Sequence, residues 1–141
     1  MFWWSSIVNF NEFPGLPEYA PRAGSEKDIE NLKMLFGQMG FAIFPYQDLE
    51  RREFLKTTLE FSDLKTHGDI VVVVVMSHGE SGGASGKIIT SDGLKVDVEE
   101  DIIRHFNNAN KILRGKPKIF IFQACLGNKR DSGVKLGSYQ N

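Results

Sequence analysis

The chain of 141 residues contains a single cysteine, Cys125. One cysteine excludes an intramolecular disulfide framework and a zinc site built mainly from cysteines. Three histidines, His67, His78 and His105, could bind a metal together with it, but no ligand pair stands at helical or hairpin spacing. The sequence therefore favours a protein without a metal site.

Long apolar segments and an excess of one charge sign are also missing. The longest apolar run, residues 70–76, is far too short to cross a membrane. The apolar N-terminal stretch, residues 1–4, is brief and has no basic region before it, which makes it a poor signal peptide. The formal net charge is -1, so nothing points to nucleic acid or to an anionic membrane surface. We expect a soluble, cytoplasmic protein.

Short apolar runs alternate with amphipathic stretches along the chain. Residues 70–76 include consecutive valines, which favour the extended conformation, and a run that is apolar on both faces belongs in a sheet covered on both sides. The other predicted strands are residues 6–10, 41–46 and 118–123, and a hairpin over residues 87–96 turns at Ser91-Asp92-Gly93. This order predicts an α/β three-layer sandwich with a mostly parallel central sheet.

Three polar residues that precede amphipathic stretches predict helix N-termini: Ser25, with Asp28 three residues later, then Asp48 and Asp97. Glycines near residues 37–40 should end the first helix, and residues 82–86 should form a turn. The side chains expected to be buried are Ile29, Leu32, Phe36 and Met39 in the first helix, Phe54 or Leu55, Leu59 and Phe61 in the second, and Val98, Ile102, Ile103 and Phe106 in the third.

Two predicted strands lead directly into reactive residues. The valine strand precedes Ser77-His78-Gly79-Glu80, and the last strand ends at Gln123 and precedes Ala124-Cys125. Function in parallel sheets gathers at the carboxyl ends of the strands, so the imidazole and the thiol are expected to emerge at one edge. A nearby imidazole can take the proton of a thiol and later protonate a leaving amine. Gly79 offers an unobstructed backbone N–H to a developing oxyanion.

Each residue taken alone has an ordinary interpretation. A lone cysteine after a strand is usually a small buried hydrophobe, and a lone histidine is often only a loop residue. The combination of Ser-His-Gly after one buried strand and Gln-Ala-Cys-Leu-Gly after another favours the chemical interpretation.

These motifs resemble the caspase family. Its signature is Gln-Ala-Cys-[Arg/Gln/Gly]-Gly with a histidine about 50 residues upstream. Further stretches are similar to the same family: Arg22-Ala-Gly-Ser, Met76-Ser-His-Gly-Glu80, the hairpin from Gly86-Lys-Ile to Asp92-Gly93, and the run from Gly115 to Gly127. The resemblance extends from about Ile7 to Gly133 and implies a caspase-like fold.

The resemblance also implies roles for particular residues. Cys125 would be the nucleophile and His78 the general acid/base, with the backbone N–H groups of Gly79 and Cys125 as the oxyanion hole. Caspases require aspartate before the scissile bond, and Arg22 and Gln123 match two of the positions that hold its carboxylate. A guanidinium fork suits a carboxylate, and an amide adds a further donor. The resemblance implies an acyl transfer through a thioester, which requires no metal or organic cofactor.

The sequence departs from the family pattern in two ways. Leu126 stands where the family usually has arginine, glutamine or glycine. Caspases also continue into a small subunit, which supplies a second pocket arginine, most of the substrate groove and the dimer interface, and which forms a heterotetramer with the large subunit. We expect residues 1–127 to form the catalytic domain and residues 128–141 to begin the intersubunit linker, where Asp131 is the only aspartate.

Two other functions stay open at this stage. A caspase-like chain that is not catalytic could regulate a caspase by binding it or its adaptor. A generic flavodoxin-type binding domain would need a phosphate-cradling loop after the first strand. That loop, residues 11–24, is rich in proline and carries no glycine-rich phosphate motif.

Overall fold

A computed structural model describes residues 3–80 and 86–125 of the chain. The strands are β1 (Trp3–Asn9), β2 (Phe41–Gln47), β3 (Val71–Glu80), β4 (Lys87–Ile89), β5 (Lys95–Asp97) and β6 (Lys118–Cys125). The α-helices are α1 (Ser25–Gln38) and α2 (Arg51–Ser62). A π-helical turn over Val98–Ile102 and a 3-10 turn over Ile103–Phe106 follow β5.

The central sheet is mostly parallel, as predicted. β1 lies between β2 and β3, and β6 pairs with β3 on the other side, all in parallel. The last two residues of β3 also pair with β4, which forms an antiparallel hairpin with β5. β3 is therefore the central strand, and its five valines are all buried.

Helical segments cover both faces of the sheet and complete a three-layer sandwich. On one face, Phe36 of α1 packs with Ile7, Val72, Val74 and Met76. On the other face lies the larger cluster. It includes Val8, Val71, Val73 and Val75 of the sheet, Phe54 and Phe61 of α2, and Val98, Ile102 and Phe106 of the turns after β5.

The strands are longer than the sequence indicates. β1 begins at Trp3 and ends at Asn9, whereas residues 6–10 were expected. β2 runs through Pro45, which an edge strand tolerates, and among the described strands β2 pairs with β1 alone. β3 continues through His78 to Glu80, and β6 continues through Gln123 to Cys125. The reactive residues are thus part of the strands, because pairing between β3 and β6 continues to His78 and Cys125.

Ser25 opens α1 as predicted, but without the expected side-chain cap, and the predicted cap of α2, Asp48, is wrong. Gly24, in the left-handed region with a φ of 87°, precedes α1, and Ser25 is its first residue. The cap of α2 is Glu50, which forms a capping box with Glu53. Asp97 does cap the segment after β5, since its side chain accepts a hydrogen bond from the backbone N–H of Glu100.

Two side chains expected to be buried are exposed. Met39 lies just beyond the end of α1, and Leu59 lies on the outer side of α2; both are about half exposed. In α2, Thr58 and Ser62 are buried beside Phe54 and Phe61, so the inner face of this helix is partly polar. The predicted turn at residues 82–86 falls, except for Gly86, outside the described residues.

Candidate active site at the ends of the two central strands

Backbone register brings the predicted catalytic pair together. β3 and β6 pair in parallel from Val71 with Lys118 to His78 with Cys125, so these last two residues are direct neighbours across the strands. Adjacent strands lie about 4.8 Å apart. The position of the Cys125 side chain lies outside what the structure describes.

The imidazole of His78 is held by the loop over residues 11–24. Its Nε2 lies 2.6 Å from the carbonyl oxygen of Ala20. A carbonyl oxygen can only accept, so Nε2 carries the proton in this contact. The other nitrogen, Nδ1, is buried and has no hydrogen-bond partner among the described residues. In the neutral ring, Nδ1 therefore has a free lone pair that can accept a proton.

Two aromatic side chains of the same loop fix the plane of the imidazole. The ring centroid of His78 lies 5.0 Å from that of Phe13 and 5.7 Å from that of Tyr19. Phe13 and Tyr19 also contact each other, at 5.6 Å. The histidine is thus positioned by three groups that stand far from it in sequence.

Gly79 lies where the strands leave no room for a side chain. A Cβ atom at this position would come within 2.6 Å of the Cβ atom of Ala124 and 3.3 Å of the carbonyl oxygen of Lys87. The absence of a side chain allows β6 to approach β3 beside the catalytic pair. The structure gives this steric reason for the glycine, and an oxyanion-binding role for its N–H stays a prediction.

Arg22 is fixed at the end of β1. Its Nη1 donates to the side-chain oxygen Oδ1 of Asn9 at 2.9 Å and to the carbonyl oxygen of Phe10 at 3.0 Å. The Nε atom is buried and has no partner in the part of the chain that is described. The guanidinium is therefore anchored through one amino group.

Gln123 lies two strands away from this anchor. Asn9 pairs with Met76, and Met76 pairs with Gln123, so the three form one row across β1, β3 and β6. Two strand spacings separate the ends of this row by about 10 Å. Gln123 is exposed and lines an apolar cleft of about 450 Å³. The other residues that line it are Asp28, Asn31, Leu32, Leu35, Val74, Met76 and Ile121.

The three histidines do not form a metal site. His67 is buried beside Phe61, and its Nε2 lies 2.5 Å from the carbonyl oxygen of Phe61. Burial lowers the pKa of His67 from its ordinary value, which the hydrogen bond to Phe61 partly offsets, and the charge of Lys116 lowers it further. Within residues 3–80 and 86–125 no group of three or more His, Cys, Asp or Glu side chains could hold a metal ion. No helix in the same ranges is long and apolar enough to span a membrane.

Sequence reasoning missed several groups at this site. The carbonyl oxygen of Ala20 and the rings of Phe13 and Tyr19 hold His78, and Asn9 holds Arg22. For these missed groups, the only available signal was the length of the loop over residues 11–24, since long loops often carry function. Leu126 and Asp131, like the linker over residues 128–141, lie outside the described residues.

Known proteins are similar to this chain in sequence and in fold. The sequence profile of the caspase domain matches residues 4–141. Cell death protein 3 of Caenorhabditis remanei is 36% identical over 131 residues, which cover 92% of this chain and 24% of that protein. Caspase-14 of Mus musculus is 37% identical over 120 residues, which cover 82% of this chain and 45% of that protein. The chain thus spans less than half the length of either relative.

A solved structure agrees with these sequence matches. The crystal structure of the Drosophila initiator caspase Dronc superposes with a TM-score of 0.75 at 31% identity, covering 84% of this chain and 47% of that chain. This likeness confirms the predicted caspase-like α/β fold, and the profile match confirms the family. The chain belongs to the caspase family.

Proposed function

We propose that the chain is the large-subunit portion of a cysteine endopeptidase that cleaves proteins after aspartate, in apoptosis or a related signalling proteolysis. The observation that carries the proposal is the pairing of His78 with Cys125 at the ends of two central parallel strands. The free lone pair on Nδ1 of His78 supports it, because Nε2 is committed to Ala20.

The chemistry assigned to this pair is acyl transfer. His78 takes the proton of the Cys125 thiol at Nδ1, and the sulfur attacks the carbonyl carbon of the substrate. The backbone N–H groups of Gly79 and Cys125 bind the resulting oxyanion. The C–N bond then breaks, and the leaving amine takes the proton from Nδ1. Water, deprotonated by the same nitrogen, hydrolyses the thioester and releases the acid and the free thiol.

Arg22 and Gln123 are proposed to recognise the aspartate side chain of the substrate. The guanidinium supplies a charge and paired donors, and the amide supplies one further donor. Asn9 holds Arg22 on one side of β3, and Gln123 lies on the other side, about 10 Å from Asn9, so the two side chains would approach a carboxylate from opposite sides.

The proposed partner is a caspase small subunit, in a heterotetramer made of two large/small pairs. Protein substrates with aspartate before the scissile bond, and inhibitor or adaptor proteins, are the other proposed partners. The exposed apolar face of β6, where Ile119 and Ile121 are 48% and 39% exposed, supports a chain that needs such a partner. The proposed location is the cytoplasm.

A second candidate is a caspase-like regulator that binds a caspase or its adaptor without cleaving protein. Leu126, at a position where the family usually has another residue, favours this alternative. The two functions differ in whether Cys125 reacts when a small subunit is present.

The test is labelling of Cys125 by an electrophilic ketone that carries an aspartate side chain. The chain is labelled alone and after co-expression with a caspase small subunit, with Cys125→Ala and Arg22→Ala as controls. We expect labelling in the complex that both substitutions abolish. A folded, assembled complex without labelling would contradict the protease function and favour the regulator.

A further inference from the structure

A buried asparagine connects the proposed aspartate pocket to the frame of the fold. Asn9 is the last residue of β1, and only 1% of its surface is exposed. Its Oδ1 accepts the hydrogen bond from Nη1 of Arg22, and its Nδ2 donates to the hydroxyl of Ser25 at 3.1 Å. One amide group therefore uses both of its ends to link three segments of the chain.

The other end of this link, Ser25, is also held by the fold. Ser25 is buried, and it opens α1. Its backbone N–H donates to the carbonyl oxygen of Arg22 at 3.1 Å. Arg22 is consequently connected to α1 through its own carbonyl oxygen and, by way of Asn9, through its side chain.

The backbone around Asn9 fixes the amide in place. The N–H of the next residue, Phe10, donates to the carbonyl oxygen of Met76 at 2.8 Å, and the carbonyl oxygen of Asn9 accepts from the N–H of Asp48 at 2.8 Å. These bonds tie the end of β1 to β3 and to the end of β2. Asn9 is therefore a fixed point from which the Arg22 side chain extends.

We propose that Asn9 is a positioning residue that sets the specificity of the site for aspartate. It binds Nη1 of Arg22 and leaves the other terminal amino group, Nη2, to approach a carboxylate from a defined direction. Asparagine suits this role because its oxygen is neutral, so it orients the guanidinium without cancelling the charge that the substrate must find. The inference rests on the proposed function of Arg22.

The substitutions Asn9→Ala and Ser25→Ala test the link at two points. Asn9→Ala removes both side-chain bonds, whereas Ser25→Ala removes only the one that orients the amide. Asn110→Ala is the matched control, because Nδ2 of Asn110 also bridges two segments, through the carbonyl oxygens of Ser62 and His105. Thermal unfolding of each variant verifies that it is folded.

The measured quantity is a ratio of labelling rates for Cys125 in the complex with a caspase small subunit. The rate with the aspartyl ketone is divided by the rate with the asparaginyl ketone, which has the same shape but no charge. Because hydrogen bonds to charged groups contribute more than neutral ones, we expect Asn9→Ala to lower this ratio by about tenfold or more. Ser25→Ala should lower it less, and Asn110→Ala should leave it unchanged.

The possible outcomes separate the inference from the function on which it rests. If the unsubstituted protein prefers the aspartyl probe and Asn9→Ala keeps that preference, Asn9 has no positioning role. An equal fall of the ratio in Asn110→Ala would show a general structural effect and would also overturn the inference. If the unsubstituted protein shows no preference, the aspartate pocket itself is wrong, and the inference fails with it.

Discussion

At the scale of single residues, the two ring nitrogens of His78 occupy different surroundings. Nε2 is bound to the carbonyl oxygen of Ala20, and Nδ1 is buried without a partner in the described chain. The sequence could indicate His78 and Cys125, because their residue types carry the chemistry. It could not indicate Ala20, because any residue supplies a carbonyl oxygen.

The same distinction applies to the proposed aspartate pocket. Arg22 and Gln123 were predicted through the family resemblance, and no periodicity marks them. Asn9 escaped notice because a single polar residue within a predicted strand has no distinctive signature. Its partners are 13 and 16 residues away in sequence, and folding alone brings them together.

The close contact at Gly79 gives the first residue-scale prediction. Gly79→Ala should displace β6 from β3, because the new methyl group would lie 2.6 Å from Cβ of Ala124. We expect a loss of stability of about 1–3 kcal/mol, as for other overpacked sites, measured by urea unfolding. Labelling of Cys125 should fall as well.

Gly37→Ala is the control for this substitution. Gly37 lies in α1, and a Cβ atom there would meet nothing within 4 Å. Because alanine is a better helix former, this change should raise stability by about 0.5–1 kcal/mol. Equal stability of Gly79→Ala and the unsubstituted chain would mean that the strands are not packed as closely as described.

At the scale of secondary-structure elements, the loop over residues 11–24 is the part that completes the site. It supplies Ala20, Phe13, Tyr19 and Arg22, while the sheet supplies the proposed catalytic pair. The alternation of apolar runs was sufficient to predict the strands and the helices between them. The helix caps were predicted less well, because Ser25 and Asp48 have other partners.

Asp48 has a different role from the predicted cap. It adopts a φ of 53°, and its Oδ1 accepts from the backbone N–H groups of Asn11 and Glu12 at 2.6 and 2.9 Å. Asp48 therefore connects the beginning of the loop over residues 11–24 to the end of β2. A polar residue before a helical pattern cannot by sequence alone be assigned to one of these roles.

This role predicts different effects for two substitutions. Asp48→Ala removes both bonds and should lower the free energy of unfolding by about 1–2 kcal/mol. Asp48→Asn keeps an oxygen acceptor and tolerates the left-handed backbone, so it should retain most of that stability. Chemical denaturation measures both variants. Similar losses in the two would indicate that the oxygen atom is not the group that matters.

At the scale of the whole molecule, the order of strands explains why one edge carries the site. β3 is central, and the pairing on both sides places the ends of β1 and β6 beside it. The sequence predicted a shared edge for His78 and Cys125. The register that makes them direct neighbours could not be predicted, because valines repeat along β3 and any even shift would bury them equally well.

The exposed face of β6 leads to a prediction about association. Among residues 3–80 and 86–125, β6 pairs with β3 alone, and Ile119 and Ile121 project outward. A strand with an unpaired backbone edge and exposed apolar side chains favours self-association. The isolated chain should therefore sediment as a mixture of oligomers. Ile119→Lys with Ile121→Lys should reduce association, whereas Leu94→Lys on the hairpin should not. A single sharp monomer boundary for the unsubstituted chain would contradict this.

Buried His67 gives the fold a pH dependence. Its pKa in the folded chain lies below the ordinary value of 6.5, chiefly because burial disfavours the charged ring. As the pH falls, the unfolded chain takes up the proton first. The stability that the neutral His67 ring contributes is thus fully present above about pH 6.5 and is lost as the pH falls toward the pKa of the folded chain. The free energy of unfolding then changes by at most about 1.4 kcal/mol per pH unit.

The His67→Gln variant isolates this contribution. Urea unfolding between pH 5 and pH 8 should show a weaker dependence on pH in His67→Gln than in the unsubstituted chain. If His67→Gln keeps the original dependence, the buried imidazole is not the group responsible.

The proposed protease function depends most on His78 and Cys125 acting as one unit. The most direct measurement compares the rate at which the aspartyl ketone labels Cys125 in the complex with a small subunit, with and without His78→Ala. A positioned acid/base typically contributes a factor of about 100 or more, so the rate should fall by at least that factor while the complex stays assembled. Equal labelling rates in the two proteins would contradict the proposed joint action of His78 and Cys125.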